Sequence, residues 1–531
     1  MHFDLRLATD LLVIATYFIS VVYVGLVFGQ KENSLESFAL GGRSIPWWAV
    51  LASIIAAETS AATFLGTPGE GYKLVNYTYL QLVLGMIIGR IIVAFIFLKP
   101  FYDRNVFSIY EFLQYRFGPG TRKAASAIFL VTRMLASGAR LYVAAIVLAV
   151  AFTLMYGVQP NASQQLLIYL ISIILITVIT AIYTAIGGIK AVIWTDCIQS
   201  SVMIGGAIGA ICVLYNQLDP ASVAQLVHAG KLSMITLGTD ANASVFANIG
   251  KVLCADYTIW AALIGMTFTT LATHGTDQDM VQRMLTAPDY KKSRISLVLS
   301  GLADLPIGFI FLTIGILLHL YYAAHVDAAL PTKTNEVFAY FILKEMPTGL
   351  RGLLIAGIFA TSMGSLSAAL NALATSYTRD FYETRRGHAA TTDGESAVAE
   401  VRKFTYVFAA LVIMVAVATA YFVVEHPDSR IIPIVLGIFG YTYGSMLGIF
   451  LLGVLTKTRG SDTGNYIGMI AGFVVVAIFS GLLSGTAEML GLKSVVTMLA
   501  AVPVIGFPWR IMLGAIITMS CAAAFRTTPQ E

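Results

Sequence analysis

The stretch AAETSAATFLGTPGEGY, residues 56–72, decides the fold of this chain. It lies in an apolar segment that begins near Ile45, where a helix facing lipid would carry only large aliphatic and aromatic side chains. Polar groups at membrane depth are costly unless they face a cavity or a bound ion. One helix face, at the i, i+3, i+4, i+7 spacing, would hold Ala56, Thr59, Ser60 and Thr63. The stretch therefore predicts either a broken membrane helix that holds a solute or a helix whose small residues permit close packing.

The composition places the rest of the chain in a membrane as well. Of 531 residues, 57% are hydrophobic and 12% are charged, and the mean hydropathy is +0.80. Soluble domains carry about a quarter charged residues, so we predict a polytopic membrane protein with the lipid bilayer around it. The four cysteines lie in apolar segments, and the seven histidines form no metal-binding motif. We expect no cofactor and no nucleic-acid partner.

Apolar runs predict about thirteen membrane spans, since about 20 residues cross a bilayer. Basic residues number about twenty in one set of loops and about ten in the other, which predicts an outer N-terminus and a cytoplasmic C-terminus. The span cores are expected at 8–29, 46–72, 76–98, 124–156, 166–186, 191–215, 254–274, 295–322, 352–378, 404–424, 431–455, 463–486 and 508–525.

A second polar run lies in the span after Gly352, in ATSMGSLSAALNALATSYTRD, residues 360–380. Thr361, Ser365 and Asn371 fall close to one helix face. Sodium is a hard cation that takes oxygen ligands, which hydroxyls and freed backbone carbonyls can supply. The alternative is a helix that packs closely through small residues. Two hydroxyl-rich helices in one chain favour an ion site between them.

Charged residues inside predicted spans are further candidates. Asp196, in GGIKAVIWTDCIQS, could be a cation ligand, a proton site or a helix cap near the cytoplasmic interface. Arg133 and Arg140 are seven residues apart and nearly on one face, and a guanidinium binds carboxylate in a bidentate fork. Either arginine could contact an anionic substrate or instead pair with Glu58, Asp304 or helix carbonyls.

Four sequence runs, in order, resemble the sodium:solute symporter family: SAATFLGTPGEGY, YTAIGGIKAVIWTDCIQ, THGTDQDMVQRMLTAPDYKKSR and LGIFLLGVLTKTRGSDTG. The resemblance covers nearly the whole chain. It implies an all-α protein with the LeuT-type fold, an inverted repeat of five plus five helices in which the first helix of each half is broken. The implied segments are an N-terminal helix and link (1–45), the first repeat (46–215), an outer loop (216–251), the second repeat (252–456) and two C-terminal helices (457–531).

The resemblance also implies site residues by motif. The main sodium site falls on Ala56, Thr59, Thr361, Gly364 and Ser365. Gly364 departs from the family pattern, which has a hydroxyl residue there. A second sodium site would use Asp196, Ser367 and Ala368, of which Ala368 has no side-chain oxygen. The solute site is expected among Glu58, Ser60, Thr63, Gln81, Thr270 and Thr273, together with Arg133 and Arg140. The second-half counterpart of the opening stretch is expected at Cys254–His274.

These features predict a sodium-coupled symporter that imports a small organic anion across the cell membrane by alternating access, not an enzyme. The TFLGTP run is similar to carriers of monocarboxylates, iodide and vitamins, and the Ser60 and Thr63 pair is similar to sialic acid carriers. The monomer is the expected functional unit, and a dimer stays open. Alternatives are a sodium-coupled sugar or amino-acid symporter and a proton-coupled carrier that uses Asp196 or Glu58. A channel or membrane enzyme is disfavoured because no filter-like repeat or catalytic cluster is present.

Overall fold

The computed structural model describes residues 5–29, 34–228, 230, 232–383, 394–426 and 431–527. These residues form helices and connecting loops, with no β-strand among them. The α-helices are α1 (Leu5–Phe28), α2 (Leu35–Leu40), α3 (Trp47–Glu58), α4 (Ala61–Leu74), α5 (Leu82–Ile96), α6 (Leu98–Asp103), α7 (Tyr110–Arg116), α8 (Pro119–Tyr156), α9 (Ala162–Gln217), α10 (Pro220–His228), α11 (Val245–Cys254), α12 (Thr267–Gly275), α13 (Gln278–Met284), α14 (Tyr290–Ala324), α15 (Thr334–Glu345), α16 (Leu350–Tyr377), α17 (Glu395–Glu425), α18 (Ile431–Leu455), α19 (Asp462–Phe479), α20 (Leu482–Met489), α21 (Lys493–Leu499) and α22 (Phe507–Ala523). Two 3₁₀ segments, Gly41–Arg43 and Thr78–Gln81, and two π-helical segments, Ala261–Met266 and Thr378–Tyr382, join them.

Nine helices in the described part of the chain are long and apolar enough to cross a membrane, or ten if the bent pair Leu35–Arg43 and Trp47–Glu58 is one span. The 56-residue α9 would be about 84 Å long, whereas a bilayer core is about 30 Å thick. Gly188 interrupts α9 with φ 55° and ψ −150°, between the predicted spans 166–186 and 191–215. A β-carbon there would lie 2.5 Å from the Phe38 carbonyl oxygen, so both space and φ require glycine. The total of thirteen spans stays a prediction.

The opening stretch is a broken helix, as predicted. Helix α3 ends at Glu58 and α4 begins at Ala61, with Thr59 at φ −81° and ψ 86° between them. The Ser60 amide donates to the Glu58 carbonyl over 3.0 Å. In a continuous helix that amide would bond to Ala56, so the break frees the Ala56 carbonyl oxygen.

The second half of the same stretch packs closely against α14, and glycines on both helices permit this contact. A β-carbon on Gly315 of α14 would lie 2.0 Å from the Pro68 carbonyl oxygen, and one on Gly71 would lie 2.5 Å from the Leu312 carbonyl oxygen. Small residues let helix backbones approach closely in a membrane. The second half of the stretch therefore fits the packing interpretation, and the first half contains the predicted break, whose role as a solute site stays a prediction.

The second-half counterpart begins later than predicted. Cys254 ends α11, and non-helical residues separate it from the π-helical segment that leads into α12. Helix α12 stops at Gly275 and α13 starts at Gln278, so the break lies at Thr276 and Asp277, just beyond the predicted segment 254–274. Both break residues are fully buried. The resemblance therefore gave the segment that leads to the break but not the break itself, which holds Asp277.

Candidate functional site

The hydroxyl-rich helix α16 packs against α3, α4, α8 and α9. The two polar runs singled out in the sequence are therefore neighbours in the structure. The end of α3 brings the freed Ala56 carbonyl towards α16, and the last carbonyls of a helix carry a partial negative charge that favours a cation. This junction is the candidate sodium site.

Oxygen atoms from two other helices converge on the small space beside Gly364 of α16. A β-carbon on Gly364 would lie 2.6 Å from Gln199 Oε1, 3.3 Å from Asp196 Oδ1 and 3.5 Å from the Ala56 carbonyl oxygen. Nearby, the Thr361 hydroxyl donates to the Ile358 carbonyl, and the Ser365 hydroxyl donates to the Ser362 carbonyl. Each hydroxyl oxygen keeps lone pairs that a cation can use.

Asp196 belongs to a buried ion pair beside this space. Its Oδ2 lies 3.2 Å from Arg283 Nη2 and accepts from Ser53 Oγ at 2.6 Å. Its Oδ1 has no hydrogen-bond partner among the described residues, and the residue is fully buried. Asp196 is therefore not a solvated helix cap. Of the other second-site candidates, the Ser367 hydroxyl donates to the Gly364 carbonyl, and Ala368 contributes no side-chain oxygen.

A small cavity opens next to the candidate ion site. Arg140 is partly buried in its wall, and its guanidinium lies 5.0 Å from the centre of the Phe439 ring. Among the described residues, Arg140 has no carboxylate partner. The cavity is lined by Ser60, Ser137, Arg140, Leu141, Ser362, Ser365 and Leu366.

Ser60 places the start of α4 at this cavity. It is the N-cap residue of α4, yet its hydroxyl makes no capping hydrogen bond. The hydroxyl and the first amides of the helix are available to a ligand, and the helix N-terminus carries a partial positive charge. Together with Arg140, they form a site suited to a carboxylate. Thr63, on the first turn of α4, is half-buried.

Arg133 does not line the cavity. Its Nη1 lies 3.1 Å from Asp277 Oδ2, its Nη2 contacts Asp279, and Tyr443 also donates to Asp277 over 2.6 Å. Asp279 in turn contacts Arg283. Arg133 thus links α8 to the second helix break, and its partners Asp277 and Asp279 were not among the alternatives that the sequence offered, which were a substrate, Glu58, Asp304 or helix carbonyls.

Glu58 is held in a second charged cluster, which also lies outside the cavity lining. Arg90 Nη2 lies 2.5 Å from Glu58 Oε2 and 2.6 Å from Asp304 Oδ2, while His274 contacts the other Glu58 oxygen. Arg90 Nη1 donates to Ser300. Arg90 is fully buried within a predicted span, and an arginine in that position needs acidic partners.

Three remaining solute candidates are engaged elsewhere. Gln81 accepts a hydrogen bond from the Thr236 amide of the outer loop. Thr270 packs against Gly89 of α5, where an added β-carbon would lie 2.6 Å from its Cβ. The Thr273 hydroxyl donates to the Thr269 carbonyl. None of the three lines the cavity in this conformation.

Gln199 is the site residue that sequence reasoning missed. It follows Asp196 by three residues on α9, so both lie on one helix face. The spacing was visible in the TDCIQ run, but an uncharged amide in a span gives a weaker signal than a carboxylate.

Residues 38–472 match the model of the Sodium:solute symporter family. The chain belongs to the sodium:solute symporter family. This symporter is 26% identical over 465 residues to the sodium/sialic acid symporter SiaT of Proteus mirabilis, covering 87% of each chain. It is also 26% identical to the sodium/glucose cotransporter 1 of Oryctolagus cuniculus, covering 89% of this chain and 72% of the relative. These relatives are transporters, so the chain is a membrane transporter and not an enzyme.

The fold is similar to the substrate-bound, outward-open structure of a sodium-coupled sialic acid symporter. The TM-score is 0.75 with 23% sequence identity, and the match covers 97% of each chain. The predicted LeuT-type fold is thereby confirmed. The family makes this protein a sodium-coupled symporter, while the relatives, at equal identity, differ in the solute that their names give.

Proposed function

We propose that this symporter imports a small organic anion whose carboxylate binds between Arg140 and the N-terminus of α4. The observation that carries the proposal is the guanidinium of Arg140 in the cavity wall, which has no carboxylate partner in the described part of the chain. A partly buried cation without a counter-ion is costly, and a bound carboxylate would supply the missing charge with charge-assisted hydrogen bonds.

Sodium would couple to this step through the end of α3 and α16. The proposed ligands are carbonyls of Ala56, Thr59 and Thr361 and the hydroxyl of Ser365. Because Ser365 also lines the cavity, ion and solute would share one wall. A bound sodium would tie α3 to α16 and favour the outward-open form, after which solute binds and the cytoplasmic side opens. The membrane potential adds about 2.3 kcal/mol per charge per 100 mV, enough to accumulate solute inward.

The proposal includes the cell membrane as the location, a monomer as the transporting unit and one sodium ion per cycle. Asp196 argues against a second ion, because Arg283 already supplies positive charge there and Ala368 has no side-chain oxygen. The same ion pair argues against a proton carrier that uses Asp196.

Uptake into proteoliposomes under an imposed negative inner potential tests the proposal. Carboxylates should enter with sodium outside and fail to enter when choline replaces it. Arg140→Gln should weaken carboxylate binding about 10- to 100-fold, since hydrogen bonds to charged groups contribute about 1.5–3 kcal/mol. Sodium-dependent thermal stabilisation should persist in that variant. Arg104→Gln, which changes an exposed arginine beside Tyr115, is the control.

Other results would contradict the proposal. Saturable uptake of a neutral sugar or amino acid that survives Arg140→Gln would mean that the solute is not held through a carboxylate. Uptake that follows a proton gradient and ignores sodium would contradict the coupling ion.

A further inference from the structure

We propose that the side-chain amide oxygen of Gln199 is a sodium ligand, which replaces the hydroxyl missing at Gly364. The inference rests on the sodium site proposed above and adds one residue to it. No motif of the family resemblance assigns Gln199 to the ion; the assignment comes from its position in this structure.

The first argument is the position of the amide. Gln199 Oε1 lies 2.6 Å from where a β-carbon of residue 364 would be. The hydroxyl of a serine or threonine at 364 would be bonded to a β-carbon at that position, which is 3.5 Å from the Ala56 carbonyl oxygen. The glutamine of α9 therefore brings an oxygen to the place where a hydroxyl from α16 is absent.

The second argument is that the amide is buried without a partner. Gln199 is 1% exposed, and neither its Oε1 nor its Nε2 makes a hydrogen bond of ordinary geometry among the described residues, although the Tyr17 and Tyr183 hydroxyls lie beside the amide. Asp196 Oδ1, near the same point, has none either. Burying an amide without hydrogen bonds costs about 1–3 kcal/mol by mutational measures, so such groups are rarely left unpaired. A cation beside Gly364 would satisfy the amide oxygen of Gln199.

The third argument is that the Gln199 amide can occupy its position only because residue 364 is a glycine. Any side chain at 364 would displace the amide, because contacts of 2.6 Å to a β-carbon do not occur in real proteins. With Gln199, the proposed sodium ligands number about five oxygen atoms, which is in the range that a hard cation takes. The amide oxygen adds a ligand without adding a full charge to the site. The ion would then join α3, α9 and α16.

Sodium titration of thermal stability in purified protein, with potassium and choline as comparison salts, tests the inference. Gln199→Met keeps the length of the side chain and removes its oxygen. It should raise the sodium concentration for half-maximal stabilisation at least tenfold. Gln165→Met, a glutamine on an exposed part of the same helix that contacts Tyr169, should leave it unchanged.

A double variant keeps the test decisive if Gln199→Met does not fold. Gly364→Ser combined with Gln199→Ala restores a hydroxyl and removes the side chain that would collide with it. We expect half-maximal stabilisation within about threefold of the unmodified protein, whereas Gly364→Ser alone should weaken sodium binding because it displaces the amide.

Two results would overturn the inference. One is a folded Gln199→Met protein with the sodium response of the unmodified protein. The other is a double variant that binds sodium no better than Gly364→Ser alone. If the unmodified protein shows no sodium response at all, sodium coupling itself is contradicted, which separates the failure of the proposed function from failure of the Gln199 assignment.

Discussion

Ser365 lies where the ion site and the cavity meet. It lines the cavity, and its hydroxyl donates only to the Ser362 carbonyl of its own helix, so its oxygen can still bind a cation. Ser365→Ala should raise the sodium concentration for half-maximal uptake about tenfold, as expected for loss of one ligand contributing about 1.5 kcal/mol. Thr378→Ala, which removes a hydroxyl bonded to Ala374 near the end of the same region, is the control. An unchanged sodium dependence in Ser365→Ala would remove this residue from the site.

Arg90 holds two carboxylates, Glu58 at the end of α3 and Asp304 on α14. Arg90→Met leaves both acids without their cation, and removing one partner of a buried ion pair costs about 3–5 kcal/mol. We expect a large loss of thermal stability in detergent. The triple variant Glu58→Gln, Arg90→Met, Asp304→Asn should recover most of it, because no buried charge is left uncompensated. A triple variant no more stable than Arg90→Met would contradict an electrostatic role for the cluster.

Arg133 and Arg140 show what residue type alone could not decide. Both are arginines on one helix, seven residues apart, and the sequence made them equal candidates for the substrate. The difference lies in their neighbours, since Asp277 and Asp279 pair with Arg133 while Arg140 faces the cavity. Those acids follow in the chain by about 140 residues, so only the fold brings them to Arg133.

At the scale of elements, the contact between α4 and α14 depends on backbone approach. Gly315→Ala would place a β-carbon 2.0 Å from the Pro68 carbonyl oxygen, and overpacking costs about 1–3 kcal/mol or more. We expect a clear drop in melting temperature. Gly205→Ala is the matched control, since it lies in helix α9 with no atom within 4 Å of an added β-carbon. It should be neutral or stabilising, because alanine favours helix by about 0.8–1 kcal/mol over glycine. Equal effects of the two substitutions would contradict the close-packing argument.

The two helix breaks differ in how visible they are in sequence. The first break was predictable because hydroxyls, a carboxylate and glycines interrupt an apolar run, a pattern that lipid does not tolerate. The second break lies within a stretch that resembles an ordinary polar segment. Its residues would be unremarkable in a loop: Thr276, Asp277, Gln278 and Asp279. Their burial comes from the helices around them, and sequence periodicity does not contain that information.

At the scale of the whole molecule, the excess of basic residues in one set of loops predicts an outer N-terminus and a cytoplasmic C-terminus. In a cysteine-free background, Gln225→Cys on the outer loop should react with a membrane-impermeant maleimide in intact cells. Lys123→Cys, an exposed position at the start of α8, should react only after permeabilisation. The opposite labelling pattern would reverse the predicted orientation.

The sequence by itself determined that this protein crosses a membrane many times, that its helix is broken after Glu58, and that α16 carries a run of hydroxyl residues. These follow from local physics, because the cost of polar groups in lipid acts on each segment separately. Only the tertiary structure decided that Arg133 pairs with Asp277 and Asp279 while Arg140 lines the cavity, that Gly71 serves packing, and that Gln199 points at Gly364. Each of these depends on which helices are neighbours, and long-range packing sets that arrangement. The stretch 56–72 therefore contains a helix break, which its own polar residues predict, and a glycine face, which packs against α14.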